Sequence, residues 1–152
     1  MKSRLGIILF GALVSLGAHA QNVLLDFSNG NQIFGSYLTV YDDGVLLHKE
    51  RSCCPPHTDA IQEVRFSRAQ LSHLQGLIRA ASSSNVRIRD GNLTTDGSQS
   101  GELIAFYNNA KLVIYKVERS SIGTPDKVTY NTSPAAAEIQ KIVYVYVKWP
   151  LQ

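Results

Sequence analysis

Residues 37–41 alternate in polarity. Leu38 and Val40 fall on one side, and Tyr37, Thr39 and Tyr41 on the other, the period-two pattern of a half-buried strand. Asp42-Asp43-Gly44 follows, a turn signal because glycine accepts the positive φ that tight hairpins need. The chain then runs back through Val45 to Arg51, so residues 33–51 are predicted to form a hairpin. An earlier strand begins at Asn22 and ends before the turn cluster Ser28-Asn29-Gly30-Asn31. Residues 61–66 read as another strand. Ser67 then has the position of a helix N-cap, with Gln70 three residues on to complete a capping box. Leu71, Leu74, Ile78 and Ala81 lie on one helical stripe, and the run Ser82-Ser83-Ser84-Asn85 ends it.

The second half repeats this vocabulary without repeating the sequence. Residues 86–89 read as a short strand, and 90–101 as a polar, Gly-rich, exposed connection. Residues 102–107 and 111–118 are predicted strands joined by Asn108-Asn109-Ala110, a second hairpin. Residues 119–132 read as a further polar connection. Ser133 and Pro134 then mark an N-cap and a first helical residue. Two patterns overlap in residues 138–149. Ile139, Ile142, Val143 and Tyr146 have helical spacing, whereas Val143, Val145 and Val147 alternate with Tyr144, Tyr146 and Lys148 as in a strand. The explicit start signals favour a helix, ended by Pro150. Strands arriving as hairpins pair antiparallel, so the predicted class is α+β: an antiparallel sheet built from hairpins with two helices packed on one face.

The first segment changes the compartment. Lys2 and Arg4 precede an apolar run from Leu5 to Leu16, and Gly17-Ala18-His19-Ala20 supplies a small-x-small site. These are the parts of a secretory signal peptide cleaved after Ala20. The run falls short of the roughly 20 apolar residues needed to span a bilayer. Residues 1–20 are therefore read as a signal peptide and 21–152 as a single α+β domain, periplasmic or secreted. Loss of Lys2 and Arg4 lowers the formal net charge from +3 to +1. No dense Lys/Arg run remains, so the electrostatic footprint of a nucleic-acid binder is missing. No later stretch is apolar and long enough to cross a membrane as a helix.

Adjacent Cys53 and Cys54 are the chain's only cysteines and sit in the loop Ser52-Cys53-Cys54-Pro55-Pro56-His57-Thr58. Neighbouring Cα atoms are about 3.8 Å apart, below the roughly 4.4–6.8 Å of ordinary disulfides. A bond between them is strained and labile. Three readings stand: a rigid loop in which the cysteines only pack, a redox or recognition element at Cys53, Cys54 and His57, and a soft-metal site to which His48 contributes. The spacing matches no standard zinc pattern. Asp90, Asn92, Thr94 and Asp96 alternate as in a calcium loop, but Thr95 and Gly101 stand where the turn glycine and bidentate glutamate belong. Gly97-Ser98-Gln99-Ser100-Gly101 has Gln99 where a nucleophile elbow needs serine. Of the remaining histidines, His73 falls within the predicted helix. No spacing supports a Ser-His-Asp set, and no motif for a cofactor is present.

The series Leu38-Thr39-Val40-Tyr41-Asp42-Asp43-Gly44, then Phe66-Ser67-Arg68-Ala69-Gln70-Leu71-Ser72-His73-Leu74, then a strand-rich stretch and a Pro134-led closing helix, resembles small bacterial α+β proteins that include the emfourin-type inhibitors of thermolysin-like metalloproteases. The resemblance spans most of residues 37–148 at the level of pattern. It implies an α+β fold and protease inhibition, and carries over no inhibitory residue. The leader and the Cys53-Cys54-Pro55-Pro56 loop depart from it. The functional expectation is an exported, non-enzymatic binding module, with an inhibitor of a secreted or periplasmic enzyme as its specific form and an unidentified protein as partner. Its loops 52–60, 90–101 and 119–132 are the expected recognition elements. The alternative is a redox-active or metal-binding protein using the Cys53-Cys54-His57 loop. Oligomeric state is left open by the sequence.

Overall fold

Tight turns fix the hairpins. Gly44 has φ +87° and donates its N–H to the Tyr41 carbonyl at 3.0 Å, while Asp43 Oδ1 accepts from the Val45 N–H at 3.0 Å. A Cβ at Gly44 would also come within 3.3 Å of the Phe66 carbonyl. The other hairpin turns on Asn108 and Asn109, both at positive φ (49° and 62°), the signature of a two-residue turn that matches strand twist. The computed structural model describes residues 21–30, 35–51, 59–91, 100–118 and 125–147.

The elements run β1 (Val23–Gly30), β2 (Gly35–Tyr41), β3 (Val45–Arg51), β4 (Asp59–Arg65), α1 (Arg68–Ala80), β5 (Val86–Gly91), β6 (Gly101–Tyr107), β7 (Ala110–Glu118), β8 (Asp126–Asn131) and α2 (Pro134–Val147), with a 3₁₀ turn at Ser83–Asn85 before β5. The strands form one antiparallel sheet in the order β4-β3-β2-β1-β6-β7-β8-β5. The α+β class read from the sequence is the class observed. The chain twice lays down four strands and a helix. The first set is a plain meander, whereas in the second set β5 lies outside β8.

Both helices cover the same face. Leu25 and Phe27 of β1, Leu38 and Val40 of β2, Leu46 of β3 and Leu103 and Ala105 of β6 meet Leu74 and Ile78 of α1 and Ile139 and Val143 of α2 in one buried cluster. The helices also pack on each other, and the Phe66 and Tyr146 rings lie 6.3 Å apart. The capping box at α1 forms as its sequence predicts: Ser67 Oγ accepts from the Gln70 N–H at 3.2 Å, and Gln70 Oε1 accepts from the Ser67 N–H at 2.9 Å.

Residues 138–147 are helical. Ser133 Oγ caps the Ala136 N–H at 3.1 Å, and Asn131 Oδ1 holds the Ser133 N–H at 2.9 Å. Val143 is fully buried while Val145 is 71% exposed, which removes the strand reading, because a strand would face both to one side. Residues 119–132 are not all connection. Val128 is 2% exposed within β8, a six-residue strand whose two apolar positions, Val128 and Tyr130, are too few to mark it against polar neighbours. Likewise Asp90 and Gly91 complete β5, and Gly101 opens β6 in a buried position. Among the described residues no helix is long and apolar enough to cross a membrane.

Candidate recognition face

Period-two alternation places a second set of side chains on the face that, among the described residues, carries no helix. The registers align one residue from every strand in a transverse row. From β4 to β1 it reads Ile61, Lys49, Tyr37, Ser28. Across the centre it continues Glu102, Lys116, Thr129, Ile88. At about 4.8 Å per strand the row is about 34 Å wide. A parallel row carries Glu63, Leu47, Thr39, Asp26 and Ile104. Solvation of one face is ordinary for an antiparallel sheet. This face departs from a plain polar surface through the half-buried Tyr37 and Leu47 and through Ile61 and Ile88, which are 68% and 69% exposed.

Charges on this face are paired side to side. Asp59 contacts Lys49 Nζ, and Arg51 Nε lies 3.4 Å from its other oxygen. The Lys49 hydrogen bond, joined by the charges of Lys49 and Arg51, holds the Asp59 carboxyl below the ordinary carboxylate range. Lys116 donates to Glu118 at 2.6 Å. That bond lowers the Glu118 pKa and raises that of Lys116. Thr39 Oγ1 donates to Asp26 Oδ1 at 2.8 Å. Such exposed pairs add little stability, but they fix the pattern of charge on this face. Ser28, Tyr37, Ser100, Glu102, Lys116 and Glu118 line a trough of about 390 Å³. It lies toward the end of the sheet where Gly30, Arg51, Gly91 and Glu118 finish their strands and Gly35, Asp59, Gly101 and Asp126 begin the next. The connections β1–β2, β3–β4, β5–β6 and β7–β8 therefore leave from that end, whereas the α1 connection from β4 to β5 leaves from the other.

Cys53, Cys54 and His57 lie outside the described residues, as do 92–99 and 119–124 of the expected recognition loops. His48, assigned to the metal reading, is buried on the helix-covered face at 6% exposure. Its Nε2 is 3.0 Å from Ser36 Oγ and 3.6 Å from Glu50 Oε1. A cleft of about 300 Å³ gathers His48, Glu50, Ala60, Ile61, Gln62, Tyr146 and Val147. Serine, histidine and an acid thus converge, a cluster invisible in sequence because the three residues come together only through the β2–β3 register. They do not form a catalytic triad. Serine and glutamate address the same ring nitrogen, whereas a triad holds the acid on the other one. Ser36 also sits within a regular strand rather than on a sharp turn. Among the described residues no group of three His, Cys, Asp or Glu side chains could hold a metal ion. His73 is exposed on α1. A larger cleft of about 790 Å³ lies at the opposite end of the sheet, between α1 and the turns, and is lined mainly by Asn22, Asp42, Gln75, Arg79, Tyr107 and Asn108.

Comparison of the chain with protein-family models, curated proteins and solved structures found no match.

Proposed function

We propose that the chain is an exported, non-enzymatic binding module whose helix-free sheet face receives a protein partner, acting as an inhibitor of a secreted or periplasmic enzyme. One observation carries this reading: a row about 34 Å wide that mixes exposed isoleucines, a tyrosine and fixed ion pairs on a rigid sheet. With strands of six to nine residues, the face offers several hundred Å², on the scale of the roughly 800 Å² that each side of a standard interface buries. Tyrosine and arginine, both present on this face, are enriched at such surfaces. The leader-like segment of residues 1–20 supports the compartment.

The test is site-specific photocross-linking in the exported fraction of the native host. A photoreactive residue at Tyr37 is expected to give a discrete adduct, and one at Ser72, exposed on α1, none. Equal adducts from both positions, or none from Tyr37, would overturn the assignment. Enzyme activity of the captured partner, measured with and without added protein, tests inhibition separately. The second reading, redox or metal chemistry at Cys53, Cys54 and His57, rests on the adjacent thiols. Thiol titration and elemental analysis that found two inert free thiols and no metal would remove it.

A further inference from the structure

The two borders of the sheet differ in a way that concerns self-association. β4 ends the sheet on one side. The Phe66 N–H donates to the Gly44 carbonyl at 2.8 Å, and the register pairs Val45 with Arg65, Leu46 with Val64, His48 with Gln62 and Glu50 with Ala60. In an antiparallel ladder, hydrogen-bonded and non-bonded pairs alternate. Ala60, Gln62 and Val64 therefore spend their backbone groups on β3. Asp59, Ile61, Glu63 and Arg65 point theirs outward, and among the described residues no strand receives them. Natural edges are usually blunted by charged side chains, proline or a bulge. β4 has no proline and its register with β3 is unbroken. Its charges, Asp59, Glu63 and Arg65, are of both signs, so a second copy can pair them rather than be repelled.

We propose that β4 is a self-association edge: two copies join β4 to β4 antiparallel about a twofold axis at Gln62, making one continuous sheet of twice the width. This register matches all seven residues of the strand. Asp59 meets Arg65 of the second copy, Ala60 meets Val64, Ile61 meets Glu63, and Gln62 meets itself. Each outward-pointing residue faces another outward-pointing residue, so the backbone groups pair. Charges then alternate along the row Arg51, Asp59 and Arg65 of the second copy. Neither Glu63 nor Arg65 has an ion pair among the described residues, so both are available. Sliding one strand by two residues sets either Asp59 or Glu63 against Glu63 of the other copy, a like-charge pair that is destabilising. The other border lacks this property. Self-pairing of β5 about Ile88 sets Arg87 against Arg89 twice. The proposal is independent of the partner assigned to the open face, which the dimer leaves uncovered.

Sedimentation equilibrium over about a hundredfold range of concentration tests it. A monomer–dimer equilibrium is expected. Ile61→Asp, which sets an acid against Glu63 twice, and Arg65→Asp, which sets one against Asp59 twice, are each expected to weaken the dimer about tenfold or more. Both positions are exposed, so circular dichroism should be unchanged. Gln62→Cys supplies a positive signal. The non-bonded pair on the axis brings Cα atoms to about 4.5 Å, within disulfide reach. Mild oxidation is expected to give a covalent dimer that a peptide map assigns to position 62 on both chains. A wild-type protein monomeric throughout the range would overturn the proposal. So would a dimer that both charge variants leave intact, or oxidation that yields no link at position 62.

Discussion

Adjacent residues of one strand meet opposite demands on the two faces of this sheet. Phe27, Leu38 and Leu103 point toward the helices and are 0–1% exposed. Their sequence neighbours Ser28, Tyr37 and Glu102 point away and share a row with exposed isoleucines and ion pairs. The covered face holds the fold through removal of apolar surface from water, an undirected force that scales with area. The open face removes less apolar surface from water, and on the proposed reading its residues serve recognition. Stability and the proposed function would then be separated by a single step along the chain.

The sharpest way to break this comparison is to truncate one residue on each side. Phe27→Ala empties a fully buried site and is expected to destabilise by about 3–5 kcal/mol, measured by urea unfolding. Ser28→Ala, one residue on, is expected to stay within about 0.5 kcal/mol while altering the trough. Similar losses at both positions would mean that the open face is structural after all. Next in size, Ser67→Ala removes one half of the capping box at the start of α1 and is expected to cost about 1 kcal/mol. It does so without touching the open face, so cross-linking from Tyr37 should be unaffected. Thr39→Val, which deletes the hydroxyl donated to Asp26 but keeps its shape, is expected to cost about 0.5–1.5 kcal/mol. Its effect on partner capture should exceed that of Ser67→Ala.

The sequence made these two faces legible wherever the alternation was long. Leu38 and Val40 against Tyr37, Thr39 and Tyr41 gave both the strand and its buried side. Ser67 with Gln70 gave the start of α1 because capping is local chemistry. In α2 the N-cap at Ser133 outweighed the alternating valines, since an explicit start signal fixes the period that follows. β8 was missed because Val128 and Tyr130 become core residues only when β7 and β5 flank them. The Ser36, His48 and Glu50 cluster was hidden for the same reason: their meeting is a property of register, and register is long-range. The transverse row from Ile61 to Ile88 needed all seven strand pairings before it existed. Fold class was therefore local information here, and the candidate site was not.

The smallest expected effect separates the faces by pH. Three carboxyls at exposed positions are held below the ordinary range: Asp43, chiefly by the Val45 N–H, Asp59, chiefly by the Lys49 hydrogen bond, and Glu118, chiefly by that of Lys116. A lowered folded-state pKa means that the ionised form favours folding. That contribution is complete above the unfolded value of about 4, and is lost as pH falls through the lower folded values. Lys116 behaves in the opposite sense. Its raised pKa gives a contribution complete below its unfolded value and lost as pH climbs through the folded one. The covered face adds Tyr115, whose pKa is raised by burial, so its neutral form is favoured and its contribution also fades only at high pH. Asp59→Asn should therefore flatten the acid limb of a melting-temperature profile slightly and leave the alkaline limb unchanged. High salt should reproduce that flattening in the wild type, because pairs on the open face are screened. Phe27→Ala should instead shift the whole profile downward at every pH. An acid limb insensitive to both Asp59→Asn and salt would show that the ion pairs of the open face do not contribute to folding at all.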